Sequence, residues 1–208
     1  MKPNLVCFDL WGTLAFDVTS TRDLFDILFG GTTITYRQFR GIEDQVLMLK
    51  DIDLASGLTE ICRTLGVYED VRDQIELVAS LWKTAAEQAN LYGDTLAGLK
   101  ALRDRGYKLG LITNSTLVGW QGVETRFGLS ALFDVVIVSC KEGFAKPDLK
   151  IYREVEERSG LSGQQVLMVG DSQVNDVTIP VDCGWQARLI QRASQTLEMV
   201  LGDLLSTD

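Results

Sequence analysis

Carboxylates stand at the ends of two apolar segments that lie far apart in the sequence. Residues 5–8 have the apolar character of a buried strand and run directly into Asp9. Residues 166–169 form a second such segment, which is followed by Asp171 and then by Asp176. A charge at the end of a buried strand is costly unless another group uses it. Because parallel strands bring their carboxyl ends to one edge of a sheet, the pattern predicts a single acidic site at that edge.

Hydroxyl, amide and ammonium groups accompany these carboxylates. Another apolar segment ends in Thr113 and Asn114, and Lys146 precedes a proline at a predicted helix start. Three carboxylates in one cleft repel each other unless a cation joins them, and an all-oxygen ligand set suits Mg²⁺. The chain has no histidine, which excludes histidine bases, histidine metal ligands and Ser-His or Cys-His pairs. The predicted chemistry therefore depends on carboxylates, lysine, hydroxyls and a hard metal ion.

The elements that must position these groups alternate between strand and helix. Short continuous apolar segments are typical of a parallel sheet that is covered on both faces. They predict strands over residues 4–9, 107–112, 134–138, 166–169 and 187–190. Helical periodicity over residues 94–105 and 148–159 completes the alternation. The fold class predicted from this order is α/β with a mainly parallel sheet.

The segment from residue 15 to residue 90 breaks this alternation. It contains no strong strand pattern, and apolar residues recur in it at helical spacing. Four helices are predicted there, over residues 21–29, 35–50, 57–65 and 69–89. A helical insert between the first two strands is the simplest organisation.

Composition limits the partners and the location. The formal net charge of −9 argues against a nucleic-acid backbone as partner but allows a small phosphorylated substrate. No apolar run approaches the roughly 20 residues of a membrane span, and the start of the chain is a poor signal peptide. A cytoplasmic protein with a small-molecule substrate and no membrane partner is therefore expected. The four cysteines are widely scattered, so neither a zinc site nor a disulfide framework is expected. The oligomeric state stays open.

The order Asp9, Thr113, Lys146 and Asp171/Asp176 resembles the four motifs of the haloacid dehalogenase-like (HAD) hydrolase superfamily, with the family's usual spacing. The resemblance covers the chain from about residue 4 to residue 190. It implies a Rossmann-like core formed by residues 1–14 and 91–208, with residues 15–90 as an inserted helical cap. The implied activity is that of a Mg²⁺-dependent phosphatase, which acts on a small phosphorylated metabolite through an aspartyl-phosphate intermediate.

The resemblance also implies a role for each motif residue. Asp9 would be the nucleophile, and Thr113 would donate to the oxygens of the transferring group. Lys146 would offset the negative charge around Asp9 and the substrate. The implied Mg²⁺ ligands are the carboxylates of Asp9, Asp171 and Asp176 and the backbone carbonyl of Trp11.

Asn114 and Arg40 are predicted to bind the substrate. Asn114 follows Thr113 at the strand tip. Arg40 lies in the insert near the place where haloacid dehalogenases keep an arginine for the halide. Arg22 and Arg37 are the other cationic cap residues that are candidates for binding substrate.

Trp11 departs from the pattern of the superfamily's phosphatases, which usually carry a second aspartate two residues after the nucleophile. That aspartate protonates the leaving group and later activates water, whereas tryptophan has no proton to exchange. General acid–base help is typically worth ~10²–10⁴ in rate, or roughly 3–5 kcal/mol of barrier. Alkyl phosphates are therefore expected to suffer most. Asp17, or a carboxylate of the cap, is a candidate substitute.

Two other interpretations stay open. An aromatic residue at position 11 also resembles the haloacid dehalogenases, in which the aspartate attacks carbon and releases halide without a metal. Those enzymes usually carry serine in place of Asp171, because a metal-free site tolerates few close carboxylates, so the intact acidic set favours phosphoryl chemistry. The second alternative is a weakly active member that acts as a binding module, and Trp11 is the main argument for it.

Overall fold

The computed structural model describes residues 2–17 and 21–206. Residues 18–20 of the predicted cap lie outside these ranges, as do residues 1, 207 and 208. The strands are β1 (Leu5–Phe8), β2 (Ala15–Phe16), β3 (Asn90–Leu91), β4 (Lys108–Thr113), β5 (Val135–Val138), β6 (Val166–Gly170) and β7 (Gln186–Leu189). A five-stranded sheet has the order β5-β4-β1-β6-β7 with every pairing parallel, and β2 pairs with β3 in an antiparallel ribbon. The predicted α/β class with a parallel sheet is confirmed.

Helices connect and cover the strands. Four lie between β2 and β3, namely α1 (Thr21–Phe29), α2 (Tyr36–Val46), α3 (Leu54–Thr64) and α4 (Tyr68–Glu87). The others are α5 (Thr95–Asp104), α6 (Leu117–Phe127), α7 (Ser139–Glu142), α8 (Leu149–Ser159), α9 (Ile179–Asp182) and α10 (Leu197–Leu205). Short 3₁₀ turns occupy Leu129–Leu132 and Gly163–Gln165, and a π-helical turn spans Gln173–Thr178.

The observed bounds differ from the predicted ones where caps and short pairings decide them. α3 begins at Leu54 because the Asp53 side chain accepts the backbone N–H of Ser56 as an N-cap. α2 ends at Val46, four residues before the predicted end. β2 and β3 were not predicted, since two-residue strands have no periodicity to read. The helices α6 and α10 were also missed.

The chain reverses its direction across the sheet at β1, the central strand. From β1 it proceeds through β4 to β5 on one side and then crosses to β6 and β7 on the other. In such parallel sheets the crevice outside the carboxyl ends, at the switch point, is the usual place for a ligand. The topology therefore directs attention to the ends of β1, β4 and β6.

Three apolar clusters form the interior. Successive residues of β1 point to opposite faces of the sheet, so Val6 and Phe8 belong to one cluster and Leu5 and Cys7 to another. The helices α1–α4 surround a third cluster of their own, which includes Phe39, Leu58 and Val78. In the described part of the chain, no helix is both long enough and apolar enough to cross a bilayer.

Candidate active site

The ends of the three central strands bring the predicted catalytic residues together. Asp9 follows β1 directly, and its backbone N–H donates to the carbonyl of Val169 in β6 at 3.0 Å. Thr113 is the last residue of β4, and Asp171 follows the last residue of β6. Asp9 and Thr113 are buried. Register and pairing thus fix three groups from distant parts of the sequence at one edge of the sheet.

Lys146 bridges two of the carboxylates. Its ammonium group donates to Asp9 Oδ1 at 2.8 Å and to Asp176 Oδ1 at 2.7 Å. Asp176 also accepts the backbone N–H of Ser172 on its other oxygen, at 3.0 Å. Lys146 and Asp176 are buried, which makes this a shielded network. The predicted proximity of Lys146 to Asp9 is present in the structure.

Two glycines make room for the carboxylates. A Cβ atom at Gly12 would lie 2.2 Å from Asp171 Oδ2, and the φ of Gly12 is +76°, which a side chain rarely adopts. A Cβ atom at Gly170 would lie 2.3 Å from the carboxyl carbon of Asp176. Any larger residue at either position would push an acidic side chain out of place.

Burial and mutual repulsion perturb these acids. Burial raises the pKa of Asp9 to about 6, and the negative charges of Asp176 and Asp171 act in the same direction while Lys146 opposes them. Burial and Asp176 likewise raise the pKa of Asp171. Burial by itself would lower the pKa of Lys146, but the carboxylates of Asp9 and Asp176 raise it above its ordinary value. Lys146 is therefore held protonated.

The three carboxylates fit a divalent metal ion. One oxygen each from Asp9, Asp171 and Asp176 lies within 4.8 Å of the others. Three ionised carboxylates against the single charge of Lys146 leave an excess of negative charge, which a hard cation with oxygen ligands would balance. These donors fit Mg²⁺. Participation of the Trp11 carbonyl stays a prediction.

At this edge, Thr113 contributes a polar atom without a hydrogen-bond partner in the described part of the chain. Its side-chain oxygen Oγ1 is buried and has no hydrogen-bond partner among residues 2–17 and 21–206. A buried hydroxyl without a partner carries a desolvation cost that a ligand would remove. The role of Thr113 as a donor to the transferring group stays a prediction.

Asn114 and Trp11 make contacts that the sequence did not indicate. The Asn114 side-chain amide clamps the backbone of Lys146, donating to its carbonyl and accepting its N–H, both at 2.8 Å. The Trp11 indole N–H donates to Ser115 Oγ at 3.2 Å. The ring of Trp11 lies so close to α6 that a Cβ at Gly119 would be 3.3 Å from it. Asn114 therefore positions the loop that carries Lys146, and its predicted role in binding substrate stays a prediction.

A cavity of about 810 Å³ adjoins the acidic cluster. Trp11, Asn114 and Lys146 line it from the sheet edge, and Arg40 and Trp82 line it from the helices between β2 and β3. Arg22 and Arg37 are not among the described residues that line it. A cavity of this size is large enough for a small organic ligand.

Arg40 reaches the cavity already paired. Its guanidinium donates to Glu43 Oε2 and, at 3.1 Å, to Asp44 Oδ1. Asp17 also lines the cavity, and partial burial raises the pKa of its carboxyl. Arg40 thus lies where the sequence predicts a ligand contact, with two of its nitrogens engaged by carboxylates.

Arg192 was missed by sequence reasoning. It donates to the Thr13 carbonyl at 2.7 Å and to Asp94 Oδ2 at 2.8 Å, and its guanidinium lies 4.4 Å from the ring centre of Tyr92. Arg192 thereby ties the turn after β1, which contains Gly12, to Asp94 at the start of α5, and Asp94 in turn accepts the backbone N–H of Leu197 at the start of α10 at 2.6 Å. Arg192 follows the weakest of the predicted strands, residues 187–190, and no sequence motif there indicates these contacts.

A parallel sheet whose central strands end near an aspartate, a threonine and a lysine-bridged acidic cluster is the arrangement expected of a HAD-type hydrolase. The haloacid dehalogenase-like hydrolase model matches residues 3–181. The chain belongs to this family of hydrolases.

Curated relatives carry several activities. The chain is 32% identical over 100 residues to a glyceraldehyde 3-phosphate phosphatase of Methanothermobacter thermautotrophicus, covering 48% of this chain but only 44% of that protein. It is 36% identical to a pyrimidine 5'-nucleotidase of Escherichia coli, covering 84% of this chain and 83% of the relative. It is 25% identical to an (S)-2-haloacid dehalogenase of a Pseudomonas species, covering 80% of this chain and 74% of the relative.

Solved structures share the fold. A HAD family enzyme from Bacteroides thetaiotaomicron aligns with a TM-score of 0.73 at 20% identity, covering 95% of this chain and 98% of that one. The same enzyme has been solved in complex with magnesium and inorganic phosphate, and that structure aligns with a TM-score of 0.64 at 19% identity, covering 93% of this chain and 96% of the other.

Proposed function

We propose that this protein is a Mg²⁺-dependent phosphatase that hydrolyses a small phosphate ester or anhydride through an aspartyl-phosphate on Asp9. The observation that carries the proposal is the cluster of Asp9, Asp171 and Asp176 carboxylate oxygens within 4.8 Å, bridged by buried Lys146. Phosphatases and a nucleotidase among the relatives, and a structural neighbour solved with magnesium and phosphate, support it.

The proposed reaction has two displacements. A carboxylate oxygen of Asp9 attacks phosphorus, a new O–P bond forms, and the bond between phosphorus and the leaving oxygen breaks. Water then attacks the aspartyl-phosphate and restores the carboxylate of Asp9, releasing inorganic phosphate. With Trp11 in place of an acid, the departing oxygen takes its proton from water, so good leaving groups react best.

Lys146 and Thr113 stabilise the charge on the transferring group. Lys146 has three N–H donors, of which Asp9 and Asp176 accept two; the third has no acceptor among the described residues and would donate to a phosphoryl oxygen. The Thr113 hydroxyl supplies a second donor. Preorganised donors of this kind are typically worth ~10²–10³ in rate each. A Mg²⁺ ion held by Asp9, Asp171, Asp176 and the Trp11 carbonyl would neutralise further charge on the phosphoryl oxygens.

We assign residues 15–90 to a cap and residues 1–14 and 91–208 to the catalytic core, in keeping with the predicted organisation. The cavity lined from both parts supports this division, since a cap that closes over it excludes water and selects the substrate.

Dehalogenase chemistry is the competing activity, because one relative has it and Trp11 is aromatic. Two observations weigh against it here. A metal-free site would have to tolerate the clustered carboxylates without a balancing ion. The Arg40 guanidinium is already engaged by Glu43 and Asp44, which leaves it poorly placed to receive a halide.

The deciding experiment measures turnover of 4-nitrophenyl phosphate and of 2-chloropropionate, each with Mg²⁺ and with EDTA. We expect phosphate release that requires Mg²⁺ and is abolished by Asp9→Asn. Asp73→Asn, at a side chain that is 91% exposed, is the matched control and should keep full activity. EDTA-resistant halide release would replace this proposal by the dehalogenase. No turnover of either substrate, with Mg²⁺ still bound, would indicate the binding module.

A further inference from the structure

Glu43 is a buried carboxylate that lines the cavity but takes no part in the acidic cluster at the sheet edge. Its side chain is 0% exposed. Oε2 accepts a hydrogen bond from Arg40, whereas Oε1 is buried without a partner among the described residues. A buried carboxylate oxygen that lacks a donor costs free energy, which a ligand with an N–H or O–H group would recover.

Arg40, Glu43 and Asp44 form one wall of the cavity and together set its charge. Arg40 is shared between Glu43 and Asp44, so the three side chains sum to a charge of −1 when both acids are ionised. Burial raises the pKa of Glu43 to about 7, although Arg40 opposes the shift. Near neutral pH these three side chains together are therefore neutral or negative, and the one cation among them, Arg40, is already paired with both carboxylates.

Flat apolar surface completes the cavity. Trp11, Trp82 and Phe144 are partly buried and come from three different apolar clusters, yet all three line this one space. Aromatic walls favour a planar ligand, and an acceptor among them fixes its orientation.

We propose that Glu43 is a specificity-determining residue, which accepts through Oε1 a hydrogen bond from an N–H or O–H group on a planar, uncharged or cationic leaving group. The inference rests on the proposed phosphatase function and adds to it the chemical class of the leaving group. The same wall disfavours leaving groups that carry a carboxylate, because Arg40 is already paired and Glu43 and Asp44 repel a further negative charge.

Matched aryl phosphates test this inference. 4-Carbamoylphenyl phosphate and 4-acetylphenyl phosphate have nearly the same shape, but only the first has N–H donors, and 4-carboxyphenyl phosphate adds a negative charge. The meta isomers of each place the group at a second distance from phosphorus. At pH 8, with Mg²⁺, we expect kcat/KM to favour the better carbamoyl isomer over its acetyl counterpart by about tenfold or more, as one hydrogen bond to a charged group implies. The carboxy compounds should be the poorest substrates.

Variants at Glu43 should remove the preference without removing turnover. Glu43→Met abolishes the acceptor, and the carbamoyl-to-acetyl ratio should fall to about one while phenyl phosphate turnover changes by less than about threefold. Glu43→Gln keeps a carbonyl for Arg40 and presents an NH₂ group at the open position, so the ratio should fall to one or below. Glu69→Met, at a side chain that is 77% exposed on α4, is the control and should keep the wild-type ratio. Circular dichroism confirms that each variant is folded.

The outcomes separate this inference from the function on which it rests. Turnover with a ratio near one in the wild-type protein would refute the role of Glu43 and leave the phosphatase intact. If no aryl phosphate reacts, the phosphatase fails, and NMR titration with 4-hydroxybenzamide and 4-hydroxyacetophenone decides the binding role. Preferential binding of the amide that Glu43→Met abolishes would support it, and equal binding would overturn it.

Discussion

On the proposed function, replacing Trp11 by aspartate is expected to extend phosphatase activity from good leaving groups to alkyl phosphates. On the resemblance to the family's phosphatases, Trp11 stands where an aspartate would protonate the departing oxygen, and its indole N–H donates to Ser115 Oγ at 3.2 Å. The side chain lines the cavity beside Lys146 and Asn114. A carboxyl group at position 11 would therefore stand near the leaving oxygen.

The expected magnitude depends on the leaving group. General acid help is typically worth ~10²–10⁴ in rate, so glycerol phosphate hydrolysis should rise by at least about 100-fold. A 4-nitrophenolate leaves without a proton, and its release should change by less than about tenfold. The substitution also removes a partly buried indole with its hydrogen bond and ring contacts, which should cost about 2 kcal/mol of unfolding free energy. Activity and stability should thus move in opposite directions.

The assay compares kcat/KM for glycerol phosphate and 4-nitrophenyl phosphate in wild type, Trp11→Asp and Trp11→Asn. Asparagine has nearly the same shape as aspartate but no exchangeable acid, so it should not raise the alkyl rate. An equal gain in both variants would show that space, not a proton, limits the reaction. No gain in Trp11→Asp would show that another group, such as Asp17, already supplies the proton, and the reasoning about the absent acid would be wrong.

Three further outcomes are expected. Lys146→Met should lower kcat for 4-nitrophenyl phosphate by about 100-fold or more. It should also lower the unfolding free energy by about 3–5 kcal/mol, because it leaves two buried carboxylates without their cation. Lys100→Met, at a side chain that is 75% exposed, is the control and should change neither quantity. The pKa of Glu43 is raised to about 7 from an ordinary 4.5, so the folded state favours the protonated form of this carboxyl. Urea titrations should therefore show that the unfolding free energy falls by about 3 kcal/mol as the pH rises from 4.5 to 7. Glu43→Gln should lose this part of the pH dependence. Arg192→Met should destabilise the protein by about 2 kcal/mol in urea, because it leaves the Asp94 carboxylate without its charged partner, and Arg192→Lys should recover part of that loss.

Much of the fold follows from local sequence patterns. Short apolar segments separated by amphipathic stretches predict a parallel sheet, and the residues at the carboxyl ends of its strands must share one edge. The sequence alone therefore places Asp9, Thr113 and Asp171 at one edge of the sheet. The two-residue strands β2 and β3 could not be predicted from the sequence, because their pairing depends on residues some 75 positions apart rather than on periodicity.

The contacts within the site required the tertiary structure. Asn114 follows a strand end like any ligand-binding residue, yet its amide holds the backbone of Lys146. The sequence suggests that Arg40 is an unpaired cation, but α2 places the carboxylates of Glu43 and Asp44 within hydrogen-bonding distance of it. Only packing shows that Glu43 is buried with one oxygen lacking a hydrogen-bond partner among the described residues, or that a side chain at Gly12 would collide with Asp171.

By itself, then, the sequence determined which chemical groups are available and at which edge of the sheet they meet, because strand order and side-chain alternation are local properties of the chain. The tertiary structure alone decided which of those groups pair with each other and which stay open to a ligand. Pairing depends on distances of a few ångströms between residues remote in sequence, and such distances are set only when helices and strands pack together.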